Sequence, residues 1–158
     1  MADGATVDPE QLNFIYATHR ASGRAAGSFL GVVYDVDAFS LVVGVDGEGV
    51  WVKNANRSAT ITCTLMQSSI SNDVYSGLHI ADRSTPGGLM FPLFVQEKNG
   101  RSVYAAARAR ITKFADGTWS DGGEVRAWTF RTTTLRGFVG GIAATPLGTL
   151  ENAATTPG

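Results

Sequence analysis

A single cysteine, Cys63, means that this 158-residue chain can close no disulfide of its own and can build no zinc centre from several thiolates. Charge is scarce: Asp, Glu, Lys and Arg make up 17% of the residues, below the roughly 25% of ordinary soluble domains. So lightly charged a surface suits a protein whose faces are largely covered by copies of itself. There is no cationic excess either. With 13 Lys and Arg against 14 Asp and Glu, the formal net charge is −1, and the electrostatic footprint of a tight DNA binder is missing. No window approaches the roughly 18 consecutive apolar residues of a membrane span. The opening Met1-Ala2-Asp3-Gly4-Ala5-Thr6-Val7-Asp8 lacks a basic, then apolar, secretion leader, which predicts a chain without a membrane anchor that starts in a cytoplasm. Without a leader the Asn56-Arg57-Ser58 sequon reads as coincidence.

What the chain does have is strand pattern punctuated by Gly, Asp and Asn, with no repeat and no heptads. The clearest strand is Ser58 to Gln67, where Ala59, Ile61, Cys63 and Leu65 alternate with Thr60, Thr62 and Thr64 and so point inward. Phe29 to Tyr34, Phe39 to Val43 and Val50 to Lys53 precede it as β-branched and aromatic runs. Asp46-Gly47-Glu48-Gly49 reads as a tight hairpin or the tip of a longer arm. One helix is predicted at 71–83, capped by Ser71 or Asn72 and favoured at its positive end by Asp73. Its apolar stripe is Val74, Leu78 and Ala81, which turns Tyr75, His79 and Asp82 outward and adds little core. Pro86-Gly87-Gly88 ends it.

Met90 to Gln96 then reads as a strand, Lys98-Asn99-Gly100-Arg101 as a hairpin turn, and Ser102 to Phe114 as a long strand. Thirteen extended residues would span about 43 Å, more than twice a common strand. Val103, Ala105, Ala107, Ala109 and Ile111 form its slim apolar face; Tyr104, Arg108, Arg110 and Thr112 form the other. Strands at Glu124 to Thr133 and Leu135 to Val139 complete the set. The expected class is mainly β: two packed antiparallel sheets, sandwich or barrel, with one flanking helix. One domain at 12–144 lies between a flexible segment 1–11 and a flexible or interface-ordered tail 145–158.

Residues suited to catalysis are few. His19 and His79 have no evident nucleophile beside them, and Cys63 faces the core. Asp35, Asp37, Asp46 and Glu48 fail the helix-loop-helix calcium spacing, because Phe39 occupies a ligand position. The glycines of 44–49 have neither dinucleotide spacing nor a P-loop lysine, and their carboxylates repel phosphate. No cofactor or metal is expected. Arg108, Arg110, Arg126, Arg131 and Arg136 are spread over several strands and read as ion-pair partners across strands or subunits rather than as a DNA patch. Trp51, Trp119 and Trp128 read as core or subunit-contact anchors.

Several runs in fixed order carry a resemblance: Asp37-Ala38-Phe39-Ser40, Gly44-Val45-Asp46-Gly47-Glu48, 54–62, Leu65-Met66-Gln67-Ser68-Ser69 and Ser71-Asn72-Asp73-Val74. Phe91-Pro92-Leu93-Phe94-Val95, Asn99-Gly100, Ala105-Ala106-Ala107-Arg108-Ala109 and Phe138-Val139-Gly140-Gly141 follow. From about residue 28 to 141 the chain resembles the short structural proteins of tailed phages. That family is similar to the tail tube proteins of contractile phages, whose fold is shared with type VI secretion tube subunits. Arg131 and Arg136 stand where that pattern is neutral or acidic.

The resemblance implies a non-enzymatic subunit stacked in hexameric rings as a conduit for genome DNA, which transits without specific binding. It implies a place in the virion tail after assembly in the bacterial cytoplasm. The implied partners are other copies, the tail sheath, a tape measure protein inside the tube, and baseplate and tail terminator proteins.

On this reading Asp46, Glu48, Trp51, Lys53, Asn56 and Arg57 belong to an arm at 44–57 that reaches the next ring, and Arg108, Arg110, Arg126 and Trp128 lie on strands between subunits. Four segments are expected to join edge to edge: 39–53, 58–67, 102–114 and 124–133. The outer face of the helix is expected to meet the sheath or a neighbouring subunit. The alternatives are another virion component, in the baseplate or as a decoration, and a small-ligand-binding β-barrel.

Overall fold

The computed structural model describes residues 12–27, 29–98 and 100–141. The expected segments 1–11 and 145–158 lie outside the described residues, as does Asn99 of the expected turn. The order is β1 (Leu12–Tyr16), β2 (His19–Arg20), β3 (Leu30–Tyr34), β4 (Phe39–Val43), β5 (Gly49–Lys53), β6 (Ala59–Met66), α1 (Ser71–Ser84), β7 (Phe91–Glu97), β8 (Val103–Lys113), β9 (Val125–Thr132) and β10 (Arg136–Phe138). The fold is mainly β, with two antiparallel sheets and one helix among the described residues. The sheets are unequal. Eight strands run β2-β1-β7-β8-β9-β6-β3, with β10 added beside β8, while β4 and β5 form a hairpin of their own.

The large sheet curls round on itself. Ala21 N–H donates to the Phe14 carbonyl at 2.9 Å, and the chain then crosses to β6, where Met66 N–H donates to Gly23 at 2.7 Å. Ala25 N–H donates to Thr64 at 3.1 Å, so an irregular segment bridges β1 and β6. The curl brings together rings from strands that are not neighbours: Phe14 of β1 lies 5.1 Å from Phe130 of β9, and Tyr16 lies 4.9 Å from it, both edge-on. Ile61, Cys63 and Leu65 of β6 point into this interior, as their alternation predicts. Burial pushes the Cys63 thiol up to about 12, so at neutral pH it stays protonated as core filler.

β1 was not read from the sequence, yet it supplies Phe14 and Tyr16 to the core. Five residues followed by a two-residue partner leave too short a period to stand out from the small, polar residues around them.

The helix has the expected span but is turned by one residue. Ser71, Tyr75, His79 and Asp82 are its buried side chains, while Val74, Leu78 and Ala81 are half-buried along the flank. The expectation that Tyr75, His79 and Asp82 face outward is therefore corrected. A ring of Tyr75's size gains more from burial than Val74 or Ala81 would, and Ser71, His79 and Asp82 all find hydrogen-bond partners, although the Tyr75 hydroxyl is buried without one among the described residues. Tyr75 packs edge-on against Trp128 at 5.7 Å and Phe130 at 5.2 Å. His79 Nδ1 is hydrogen-bonded to the Ile111 carbonyl at 3.1 Å, and Asp82 accepts from Arg110 Nε at 2.7 Å and from Leu89 N–H at 2.7 Å. The helix thus flanks the sheet with this face, not the Val74–Ala81 stripe, turned to the interior. Nor do Ser71 and Asn72 cap it: Ile70 holds the cap position without a side-chain bond.

The faces of β8 are corrected as well. Phe91 pairs with Ala109 but Leu93 with Ala106, so β8 carries an extra residue there. A bulge of this kind flips every side chain beyond it. Ala106, Ala109 and Ile111 are buried, whereas Ala105 and Ala107 are exposed.

Candidate assembly surface

Five residues of β4 and five of β5 are all exposed, on both faces of the hairpin. The register places Phe39, Leu41 and Val43 with Trp51 and Lys53 on one face, and Val42, Val50 and Val52 with Ser40 on the other. A strand pair lying on a monomer alternates apolar and polar; this one is apolar on both sides. Trp51 is 68% exposed and Val50 62%. An isolated two-stranded hairpin is marginal in water, so this element is shaped for cover from outside the chain.

The tip is a preformed turn. Gly47 N–H donates to the Gly44 carbonyl at 3.0 Å, Gly44 N–H to Glu48 at 2.8 Å, and Glu48 N–H to Asp46 Oδ1 at 3.3 Å. Gly47 sits at φ +87°, which a side chain would resist.

The root is held firmly. Asp35 accepts from Ser58 Oγ at 2.7 Å, Thr60 Oγ1 at 3.0 Å and Arg131 at 2.6 Å. The returning strand carries two successive side-chain turns, Asn56 N–H to Asn54 Oδ1 and Ser58 N–H to Asn56 Oδ1, both 2.9 Å. Leu135 N–H donates to the Arg57 carbonyl at 3.0 Å, and the Tyr34 hydroxyl to the Leu135 carbonyl at 3.1 Å. Between root and body lies a cleft of about 640 Å³ lined by Tyr34, Phe39, Lys53, Arg57 and Arg136.

The hydroxyl of Ser58, then the Arg131 guanidinium and the Thr60 hydroxyl, hold Asp35 below the ordinary carboxylate range. Because the folded value is depressed, the contribution is present above the unfolded value and is lost as pH falls through the folded one. Acidification below the usual carboxylate range is expected to lower the protection of the Asp35 and Ser58 amides, measured against their intrinsic exchange rates at the same pH. Asp35→Asn should show that loss of protection already at neutral pH, without the acid step; unchanged protection in the variant would reject the clamp.

The arm candidates Asp46, Glu48, Trp51, Lys53, Asn56 and Arg57 are thus all exposed on one element and its root. The strand candidates separate. Arg108 is exposed, Arg110 is paired with Asp82 within the chain, and Arg126 stacks over Trp119 at 5.1 Å. Trp128 is buried and donates from Nε1 to Asn72 Oδ1 at 2.9 Å, which makes it core and not a subunit contact.

Edges are also spoken for. β6 is paired on both sides along its length, and β8 is flanked by β7 on one edge and by β9 and β10 on the other. β6 has no edge to share as expected for 58–67, whereas β8, expected to share an edge over 102–114, has no strand partner on its β7 side beyond Ala109 among the described residues. β9 keeps one free edge over 125–128. The outer edge of β3, which the sequence reading passed over, is free as well. Leu30–Tyr34 carries no charge and no proline, the usual guards of an exposed edge, and this was the signal available.

His19 is hydrogen-bonded to Ser71 Oγ at 2.8 Å, but Ser71 is fully buried, so the pair ties β2 to α1. Among the described residues no cluster of metal-ligating side chains occurs, and no helix is long and apolar enough to cross a membrane.

Comparison with known proteins decides the family. No family model matches the chain. Over 119 residues it is 35% identical to the structural protein ORF10 of Pseudomonas phage KPP10, covering 73% of this chain and 68% of that protein. The chain belongs to this family of phage structural proteins. It is therefore a virion component, in a family described as structural.

In fold it is similar to the sheath/tube terminator of an extracellular contractile injection system, PVC, in the extended state. The TM-score is 0.55 over 85% of this chain and 97% of that one, at 11% identity. The tube terminating cap of the anti-feeding prophage gives 0.53 over 84% and 91%, at 8% identity. Identities this low speak for the fold alone.

Proposed function

We propose that this phage structural protein is the tube subunit of a contractile tail, one β domain (12–144) per copy, stacked as hexameric rings around the channel for genome DNA. The observation that carries the reading is the β4–β5 hairpin, apolar on both faces and uncovered in the single chain. A monomeric protein has no use for such an element, whereas a ring stack buries it between copies. The free edge of β3 adds a second, backbone-mediated contact.

Near-neutral charge supports the same role. Duplex DNA carries one negative charge per about 1.7 Å of axis, and a strongly basic wall would bind it through counterion release. A formal charge of −1 leaves the conduit without such a grip. The sheath outside, a tape measure protein inside, and baseplate and terminator proteins at the two ends are the partners of this role, which is assembled in the bacterial cytoplasm.

The fold likeness to a tube terminator and a terminating cap favours a second reading, in which one ring closes the tail end. Ring stacking separates the two. Negative-stain microscopy of the purified protein is expected to show hollow tubes of repeating rings; single rings that never stack would transfer the assignment to the terminator, and a monomer at every concentration would reject both.

A further inference from the structure

The acidic arm tip has a matching recess at the far end of the same body. We propose that Asp46 and Glu48 of one copy dock in a second copy's cleft between the end of α1 and the end of β8, lined by Arg83, Arg110, Lys113 and Phe114. The inference rests on the stacked-ring reading and names the surface that receives the arm.

Placement is the first argument. Tyr34, Ala59, Thr132 and Ala109 stand in register across β3, β6, β9 and β8. The arm leaves the body on one side of that line, following Tyr34, and Arg110 to Phe114 continue on the other. A copy shifted along the strand direction therefore brings its tip towards the cleft of the next. Contact between two different surfaces related in this way propagates without closing, as a tube requires.

Charge is the second. The cleft, about 520 Å³, holds three cationic side chains and one carboxylate, Asp82, which Arg110 already engages at 2.7 Å. Arg83 makes no ion pair among the described residues, and Lys113 has only an exposed contact with Asp116 at 3.7 Å. The tip offers two carboxylates and no cation. Just before them Val45 is fully exposed, an apolar point for the half-exposed Phe114 ring. Because the turn is already formed, little ordering opposes docking. The cationic cleft at the arm's root lies on the same side of the body as the arm, where a head-to-tail neighbour would not present it.

Charge reversal tests this in the full chain. Asp46→Lys with Glu48→Lys, and separately Arg83→Glu with Lys113→Glu, should each reduce the tube mass that sediments at low salt at least tenfold. All four changes together should restore tubes. Circular dichroism of each variant should match the parent, since all four side chains are exposed.

Tubes that survive reversal at Arg83 and Lys113, or a fourfold variant that stays unassembled, would overturn the proposal while leaving the stacked-ring reading intact. Rescue of the tip variant by Lys53→Glu with Arg57→Glu would place the tip in the root cleft and overturn it too. A parent protein that never forms tubes would remove both.

Discussion

A variant in which a short Gly-Ser connection replaces residues 38–54 is expected to fold as a monomer and to form no tubes at any attainable concentration. The join is geometrically easy: Asp35 N–H donates to the Ser58 carbonyl at 3.0 Å and Asn54 N–H to Ala38 at 2.7 Å, so the excised ends are adjacent. No buried side chain is lost, because all ten strand residues are exposed. Thermal unfolding should therefore stay within a few degrees of the parent. Assembly is another matter. Phe39, Leu41, Trp51 and Val50 would each contribute about 1.5–3 kcal/mol if fully covered by a neighbour. Even after the costs of association, that sum separates a stable stack from none. Sedimentation velocity checks the outcome, and tubes of ordinary length from the excised protein would remove the hairpin from the assembly.

The second large effect concerns the body. Phe130→Ala is expected to cost about 3–5 kcal/mol, which a domain of marginal stability barely tolerates. Phe130 is completely buried and meets Phe14, Tyr16 and Tyr75 edge-on at 5.1, 4.9 and 5.2 Å, so truncation opens a cavity shared by β1, β9 and α1. The melting temperature should fall by about 10–20 °C. Trp119→Ala supplies the contrast: that ring is 74% exposed and touches mainly Arg126 and its own loop, so the monomer should lose well under 1 kcal/mol. Equal losses in the two variants would mean that the ring cluster does not hold the body together.

Strand positions were legible because alternation over eight or more residues, as in Ala59–Met66, survives any tertiary context that keeps one face inside. The two phases misread were on β8 and α1. Alternation along β8 is broken by an extra residue between Ala106 and Ala109, and a bulge leaves no mark when every candidate there is alanine or arginine. On α1 two stripes one residue apart compete, and a hydropathy count prefers Val74, Leu78 and Ala81. The cavity left by Phe14, Tyr16 and Phe130 prefers Tyr75 instead.

The candidate surface followed the same division. The apolar runs Phe39 to Val43 and Val50 to Lys53, joined by the Gly-rich acidic segment Asp46-Gly47-Glu48-Gly49, were enough to mark a hairpin or the tip of an arm. That both of its faces are uncovered, and that the β8 end opposite it is cationic, depends on distant segments meeting.

By itself, then, the order of residues determined the mainly β class, the span of the helix, the positions of the strands from β3 onward and the 39–53 hairpin, because each depends on the period and turn chemistry of neighbours in the chain. Tertiary structure alone decided which helix face is buried, which strand edges remain open and what recess the arm tip can meet. Those outcomes are set by competition among side chains for one shared interior and for hydrogen-bonding edges, and such competition has no local signature.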